Sequence, residues 1–477
     1  MSPMNRRQFC NAGAFSLAPL ALASLLRDEA RAEPIKPNVG PQTFSLDQRS
    51  PAATPKATAM ISLFMQGGPS QVDLLDPKPE LTRLDGQNFT GKIKYDDVGG
   101  ASSKILGSPW KFAKRGECGT EISDLLPNIA GIADDILVIR SMHTGVNNHG
   151  QSIHALNSGR IQRGRPSLGS WITYALGAET ENLPAFVALT DPAGLPVEGV
   201  LNWSNGWLPS LFQGTVIRPR QPRILNLEPP ERLRGKVQEN YLAFLNRLNQ
   251  QQLDQHPENS ELAARISNYE LAARMQSAAL EALDISEETK ATQELYGIHE
   301  KESSEYGTRC LIARRLIERG VRFAQVFTQN QYWDHHSGIL SRLPAACRKT
   351  DRGAAALVID LKQRGLLDTT VVHWGGEMGR LPVIQNDAGR DKVGRDHNTY
   401  GFSMWLAGGG FKPGATYGET DEFGHHAVSD VVNHFDYHAT LFQQFGLDAE
   451  GVTFKRNARE SSLLDGQPGK VIDALLA

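Results

Sequence analysis

The chain has 477 residues, of which 40% are hydrophobic and 22% are charged, and this composition excludes a disordered chain. Lys and Arg number 50 against 53 Asp and Glu, so the net charge is −3 and a dominant basic surface for nucleic acid is excluded. Because a single core stops growing at about 250–300 residues, we expect two domains or one large α/β domain with insertions.

The N-terminus has the features of an export signal. The pair Arg6-Arg7 precedes a moderately apolar stretch at 15–26, and residues 30–32 form a small-x-small cleavage signal. Paired arginines in this setting are typical of twin-arginine export, and the alternative is an ordinary secretory signal that carries two arginines. We therefore expect 1–32 to be removed and the mature protein to be periplasmic or otherwise extracytoplasmic. No later apolar run approaches the about 18 residues of a membrane helix, so no integral span is expected after removal.

Strand and helix patterns alternate after a segment at 33–56, which is rich in Pro, Ser, Thr and Ala and predicts a flexible tether. Compact apolar runs predict strands, and periodic stretches that end near glycines predict helices. The predicted strands are 59–65, 135–141, 183–190, 321–327, 369–374 and 402–407. The predicted helices are 150–158, 308–319, 352–363 and 428–445. The alternation predicts an α/β domain over 57–477, with a mostly parallel central sheet and helices on both faces.

Residues 228–307 interrupt this alternation. The segment is rich in Ala, Leu, Glu, Gln and Arg with helical periodicity, and it predicts two or three long helices beside the main body. Such an insertion is interpreted as a scaffold or dimer element, or alternatively as a lid over a site.

Polar residues follow the first two predicted strands. Ser70 and Asp73 lie beside glycines that let a backbone approach a ligand, so they are predicted to bind substrate or else to cap a turn. His143, Thr144 and His149 follow the second strand, and His149 stands where a helix begins. A helix start is a favourable anion site, so His149 is predicted to ligate a metal, contact an oxyanion, move a proton or cap the helix. Thr144 is a candidate hydroxyl nucleophile.

Three later loops each offer a carboxylate, two of them beside a histidine. These loops contain Asp334, His335, His336, Glu377, Arg380, Arg395, Asp396 and His397. Because chemistry collects at the carboxyl ends of parallel strands, we expect these side chains to share one polar site. Carboxylates and imidazoles suit a divalent metal, with zinc, calcium and manganese as candidates.

Together these motifs resemble an exported, sulfatase-like bacterial family of unknown function within the alkaline-phosphatase superfamily. The resemblance covers nearly all of the mature chain. Its motifs are 67–73, 76–78, 140–143, 333–336, 376–380, 394–397 and 406–410. The resemblance implies an alkaline-phosphatase-like α/β sandwich, and hydrolysis of phosphate or sulfate esters with one or two metals and a nucleophile at a helix start.

The chain departs from the active members of that superfamily at three positions. Gln66-Gly67 stands where they have a metal-binding Asp, His149 occupies the nucleophile position, and Gly376-Glu377 replaces their Asp-His pair. The site is therefore either rebuilt around other ligands with water as the nucleophile, or inactive.

We predict an exported, metal-dependent hydrolase of small-molecule or polysaccharide esters of sulfate or phosphate. The predicted metal ligands are Asp334, His336, Glu377, Asp396 and His397. The predicted catalytic residues are His149, Thr144 and Arg380, and the predicted substrate-binding residues are Ser70, Asp73, His143 and Arg395. The alternative is an inactive relative that binds an anionic glycan or a partner protein through the helical insertion and the loop with Trp203 and Trp207.

Overall fold

A computed structural model describes residues 44–93, 95, 101–257, 259–456 and 459–477. The predicted signal at 1–32 and the first part of the predicted tether lie outside the described residues. The later part of that tether has no regular structure and runs along the main body. There the Phe44 ring packs edge-on against Phe212 at a centroid distance of 6.4 Å, and the Arg49 backbone N–H donates to Leu176 O at 2.9 Å.

A nine-stranded sheet forms the centre of the described part of the chain. Its strands are β1 (Ala59–Phe64), β2 (Ile136–His143), β3 (Phe186–Leu189), β4 (Thr215–Ile217), β5 (Phe323–Phe327), β6 (Thr370–Gly375), β7 (Phe402–Ala407), β8 (Ala415–Tyr417) and β9 (Val432–Asn433). The order across the sheet is β8-β2-β7-β6-β1-β5-β3-β4, and β9 pairs with the end of β2. All neighbours are parallel except β7, which is antiparallel to both β2 and β6.

Helices cover both faces of this sheet. They are α1 (Gln71–Leu74), α2 (Pro79–Arg83), α3 (Pro127–Ala130), α4 (His149–Ser158), α5 (Leu168–Leu176), α6 (Lys236–Gln255), α7 (Ser260–Leu283), α8 (Lys290–Leu295), α9 (Ser304–Glu318), α10 (Ile339–Gln363) and α11 (His434–Gln444). Five short two-stranded ribbons also occur in the described part of the chain: Ala101–Ile105 with Val383–Gln385, Phe112–Arg115 with Thr120–Ser123, Gly379–Arg380 with His397–Asn398, Glu419–Thr420 with Ala427–Ser429, and Phe454–Arg456 with Arg459–Ser461.

Alternate residues of the central strands enter two separate cores. In β1, Ile61 and Leu63 pack on the face covered by α9 and α10, whereas Met60 and Phe64 pack on the face covered by α4, α5 and α11. A strand buried on both faces is largely apolar along its whole length, which explains the nearly continuous apolar runs of the sequence. The predicted α/β class with a mostly parallel sheet is confirmed.

The segment predicted to be a helical insertion holds α6, α7 and α8 together with the start of α9. Helix α7 buries Leu271 and Met275 in the core shared with α9. Helix α6 contains no buried residue, and its Tyr241 and Phe244 are exposed.

The helix predicted at 428–445 begins six residues late. Residues up to Asn433 extend as short strands, and α11 starts at His434. The cause is local, because the Asn433 side chain accepts the backbone N–H groups of Phe435 and Asp436 while the Asp436 carboxylate accepts the Asn433 N–H, which is a capping box.

Candidate metal centre

The segments that follow four parallel strands form the site at one edge of the sheet. Strands β6, β1 and β5 are neighbours and β2 lies beyond the antiparallel β7. The segments that follow β1, β2, β5 and β6 carry Gly67, His149, Asp334 and Glu377 in turn. His397 joins them from the ribbon that pairs Gly379–Arg380 with His397–Asn398. The predicted meeting of distant loops at one edge therefore occurs.

Three imidazoles and one carboxylate form a compact group at this edge. One ligand-type atom from each of His149, Asp334, His336 and His397 lies within 4.8 Å of the others. His336 Nε2 is 2.9 Å from Asp334 Oδ1 and 3.0 Å from His397 Nε2, which in turn is 3.3 Å from Asp334 Oδ1. His149 Nε2 is 3.3 Å from Asp334 Oδ2. We call these four residues the metal group.

The Nδ1 atom of each imidazole in the metal group contacts an oxygen atom outside the group. His149 Nδ1 lies 2.6 Å from Glu377 Oε1, His397 Nδ1 lies 3.0 Å from the carbonyl oxygen of Asn147, and His336 Nδ1 lies 2.5 Å from Gln385 Oε1. These oxygens only accept hydrogen bonds, so each Nδ1 is the donor, and an Nε2 that has no proton presents its lone pair to the group. Outer oxygen partners of this kind orient the histidine ligands of metal sites.

The geometry fits a small divalent cation. A tetrahedral zinc ion with bonds of about 2.0–2.1 Å places neighbouring ligand atoms about 3.3 Å apart, close to the contacts between these side chains. Two neutral imidazole nitrogens that face each other at 3.0 Å also favour a cation between them. Among the described residues, His149 Nε2 is buried and has no hydrogen bond of acceptable geometry, so loss of its proton to a metal would leave a lone pair for a ligand role.

Charge holds the metal group together in the absence of a cation. Burial opposes a charge on His149, but the carboxylates of Asp334 and Glu377 outweigh it and raise the pKa of His149 to about 9. Burial also opposes the charge on Asp334, and Arg380 together with the three histidines holds the pKa of this carboxyl far below its usual range. The Arg380 guanidinium lies 2.7 Å from Asp334 Oδ1.

Glu377 and Asp396 lie outside the metal group, although both were predicted ligands. The Glu377 carboxylate is fully buried behind His149 and accepts the Gly67 backbone N–H at 2.9 Å. Asp396 Oδ1 accepts the His397 backbone N–H at 2.8 Å and is 3.7 Å from His336 Nδ1. Both carboxylates therefore support histidines and do not face the centre.

The predicted substrate-binding residues Ser70, Asp73 and Arg395 bind one another instead of an open site. Arg395 donates to both Asp73 oxygens at 2.8 and 3.0 Å, and the Ser70 hydroxyl donates to Asp73 Oδ2 at 2.6 Å. None of the three is more than 1% exposed. Their network anchors the loop after β1 to the segment that carries His397.

Arg380, Thr144 and His143 surround the site without entering the metal group. The Arg380 side chain donates to the carbonyl oxygens of Gly67, Gly68 and Arg395 as well as to Asp334, so its donors are committed to the protein. The Thr144 hydroxyl is 3.3 Å from Ser152 Oγ. His143 packs its ring 5.9 Å from that of Tyr400, and burial lowers the pKa of His143.

His149 does not cap its helix. The cap of α4 is Asn148, whose side chain accepts the Gln151 N–H at 3.3 Å, and His149 is the first helical residue. The neighbouring His335 is also outside the group. It is buried, and burial together with Arg380 lowers its pKa to about 3.

Glycine at position 67 allows the loops to meet. Gly67 has φ +107°, and a Cβ there would lie 2.6 Å from the backbone nitrogen of Asp334. The same residue donates its N–H to Glu377, so one glycine links the β1, β5 and β6 loops. The glycine-rich motif at 67–69 thus serves close backbone approach.

Two supporting residues were not among those that the sequence predicted. Asn147 contributes a backbone carbonyl to His397, which any residue has, and its position two residues before His149 was the available signal. Gln385 lies in a short strand with no neighbouring motif, so the sequence gave no indication of its contact with His336.

The family model for "Protein of unknown function (DUF1501)" matches residues 57–476. The chain belongs to this family. No curated protein is similar enough in sequence to match the chain. Among the described residues, no helix has the length and apolar character needed to cross a membrane.

Three solved structures have a weak structural similarity to the chain. The lipoteichoic acid synthase LtaP from Listeria monocytogenes is 9% identical, with a TM-score of 0.35 and coverage of 84% of this chain and 76% of LtaP. The sulfatase PsFucS1 from Pseudoalteromonas sp. is 13% identical, with a TM-score of 0.31 and coverage of 74% and 66%. The phosphonate monoester hydrolase SpPMH from Silicibacter pomeroyi is 10% identical, with a TM-score of 0.31 and coverage of 74% and 71%. These TM-scores are too low to show that the folds are the same.

Proposed function

We propose that this DUF1501 protein is a metal-dependent hydrolase of phosphate or sulfate esters. In this proposal its site corresponds to that of the alkaline-phosphatase superfamily, with different residues as metal ligands. The observation that carries the proposal is the metal group, in which three Nε2 atoms and one carboxylate face one another while each Nδ1 is held by an oxygen. The choice of ester rests on the resemblance of the motifs to that superfamily.

Zinc is the metal that this ligand set suits best. Calcium and magnesium prefer sites made only of oxygen ligands, whereas three imidazoles with one carboxylate suit Zn²⁺. A zinc ion bound there would act as a Lewis acid toward the ester oxygens.

The protein's own groups would fix this centre in place. Glu377 holds His149, and the buried Arg380 guanidinium holds the Asp334 carboxylate. Asp334 and His336 are the only members of the metal group that are partly exposed, so substrate would approach from their side. Hydrolysis would break the ester P–O or S–O bond, with water supplying the new oxygen and a proton passing to the departing alcohol.

The role proposed for His149 follows from its contacts. It occupies the position of the superfamily's nucleophile, but both of its nitrogens are directed at carboxylates of the site. We therefore propose His149 as a ligand and water as the nucleophile. We further propose export by the twin-arginine route, which fractionation of cells producing the full chain, with and without Arg6→Lys and Arg7→Lys, would test.

The decisive experiment measures metal and turnover together. The purified protein without residues 1–32 is expected to contain about one zinc per chain and to cleave 4-nitrophenyl phosphate or 4-nitrophenyl sulfate. His397→Ala should lose both the metal and the activity, whereas His426→Ala, an exposed imidazole outside the group, should keep both. A wild-type protein that binds no divalent metal in equilibrium dialysis would overturn the proposal.

A further inference from the structure

A cavity shares a wall with the metal group. Its volume is about 290 Å³, and Asp334 and His335 form part of its lining. The first turns of α10 line the cavity with Arg342 and Ala345, and the loop 329–332 after β5 forms the rest of the lining. A molecule whose reacting group lies at the metal group would therefore extend into this cavity on the Asp334 side.

Arg342 brings an uncompensated positive charge to the cavity. The residue is exposed, and within the described residues no hydrogen bond or ion pair engages its guanidinium. It stands in the first turn of α10, which contains no acidic residue. A cation at a helix N-terminus opposes the helix dipole, so this position gives Arg342 no stabilising role in its own helix.

The wall behind the cavity also carries surplus positive charge. The Tyr332 ring lines the cavity, and the Lys349 ammonium lies 4.6 Å from the centre of that ring. Lys349 and Arg309 share the single buried carboxylate of Asp191, each at 2.8 Å. Two cations on one carboxylate leave a net charge of +1 next to the cavity, and nearby positive charge favours an anion there.

We propose that this cavity is a subsite for a second anionic group, so that the preferred substrates are phosphate or sulfate esters whose leaving group is itself anionic. This inference rests on the proposed function, because the first anionic group is placed at the metal group. Arg342 binds the second group with its guanidinium, and the amides of Gln329, Asn330 and Gln331 donate to polar atoms between the two. Arg342 is thus a specificity-determining residue that leaves the reacting centre untouched.

The test uses two probes that an ester hydrolase cannot cleave, because their C–P bonds are stable to ester hydrolysis. Zinc-loaded protein without residues 1–32 is titrated calorimetrically with methylphosphonate, which carries one anionic group, and with butane-1,4-bisphosphonate, which carries two. The wild type is expected to bind the bisphosphonate about tenfold more tightly, the lower end of the range for a charge-assisted hydrogen bond. Arg342→Gln should abolish this preference and leave the affinity for methylphosphonate unchanged.

Two further variants separate the subsite from general effects. Arg348→Gln removes a cation from the same helix that is paired with Glu302, and it should leave the preference intact. Ala345→Leu should fill the cavity and remove the preference without loss of bound zinc. Equal preference for the bisphosphonate in the wild type and Arg342→Gln would overturn the inference alone, whereas failure of the zinc-loaded wild type to bind either probe would count against the proposed function as well.

Discussion

Replacement of Glu377 is the sharpest probe of how the metal group is held. In the wild type a single oxygen, Oε1, accepts both the His149 Nδ1–H at 2.6 Å and the Gly67 N–H at 2.9 Å. Glu377→Ala removes this acceptor and leaves the two buried donors unpaired. Glu377→Gln keeps an Oε1 oxygen and therefore both hydrogen bonds, and loses only the charge.

The expected magnitudes differ between the two variants. Loss of an outer partner of a metal ligand typically weakens metal binding by about 10–100-fold, so Glu377→Ala should raise the Kd for Zn²⁺ by that factor. The metal-free Glu377→Ala protein should also lose about 2–6 kcal/mol of unfolding free energy, because each unpaired donor costs about 1–3 kcal/mol. Glu377→Gln should stay within about tenfold of the wild-type Kd, because the ring of His149 keeps its orientation.

Competition titration with a chelator measures the Kd, and urea unfolding of the metal-free proteins measures the stability. Glu198→Ala is the matched control, since Glu198 contacts His154 at 3.2 Å in a carboxylate–histidine pair outside the metal group. The reasoning fails if Glu377→Ala folds and binds Zn²⁺ as tightly as the wild type, or if the Glu198 control loses equally much affinity.

Three further predictions concern the scaffold. Burial of the neutral ring lowers the pKa of His373 to about 3 and that of His438 to about 4, below about 6.5 in an unfolded chain. Each histidine therefore contributes stability that is present above pH 6.5 and is lost as the pH falls, and the loss at pH 5 is about 2 kcal/mol for each. Equal free energies of urea unfolding at pH 7.5 and pH 5 would contradict this prediction. Asp73→Asn should destabilise the protein by about 3–5 kcal/mol in thermal or urea unfolding, because it leaves the buried charge of Arg395 unpaired; a loss below 1 kcal/mol would show that the pair is dispensable. Gly67→Ala should weaken Zn²⁺ binding in the same chelator titration, since φ +107° and the close backbone contact exclude a methyl group, and an unchanged Kd would show that the loop relaxes freely.

The sheet was predictable from the sequence because its strands are buried on both faces. A run such as Ala59–Phe64 has Ser62 as its one polar residue, and a parallel sheet between two helix layers is the environment that buries such a run on both faces. Short edge strands such as Ala415–Tyr417 lack this signal. The extended residues before α11 were mistaken for helix because their apolar content resembles that of the helix they precede, and only the capping box at Asn433 fixes the boundary.

The site was predictable in location but not in its internal arrangement. Strand order places Asp334, His336 and His397 at one edge, and an acid–imidazole pattern after a strand is visible in the sequence. Which side of an imidazole a carboxylate occupies depends on ring orientation. Glu377 lies on the Nδ1 side of His149 and Asp334 lies on the Nε2 side. The positions of these residues in the sequence do not indicate which ring nitrogen each carboxylate contacts. From the sequence alone, Glu377 and Asp334 were therefore equally good candidates for a metal ligand.

The charges around the metal group connect the metal to the binding of an anionic ester. With the neutral histidines that metal coordination requires, the carboxylates of Asp334, Glu377 and Asp396 and the guanidinium of Arg380 carry a net charge of −2, which repels a phosphate or sulfate group. A divalent cation would bring this charge to zero, so the binding of methylphosphonate should require Zn²⁺. A substrate with a second anionic group then needs positive charge from outside the metal and these four side chains. The guanidinium of Arg342 lies in the adjoining cavity and supplies that charge. The preference for the bisphosphonate should therefore weaken as salt screens the Arg342 contact, whereas direct coordination of the first anionic group should depend on salt much less.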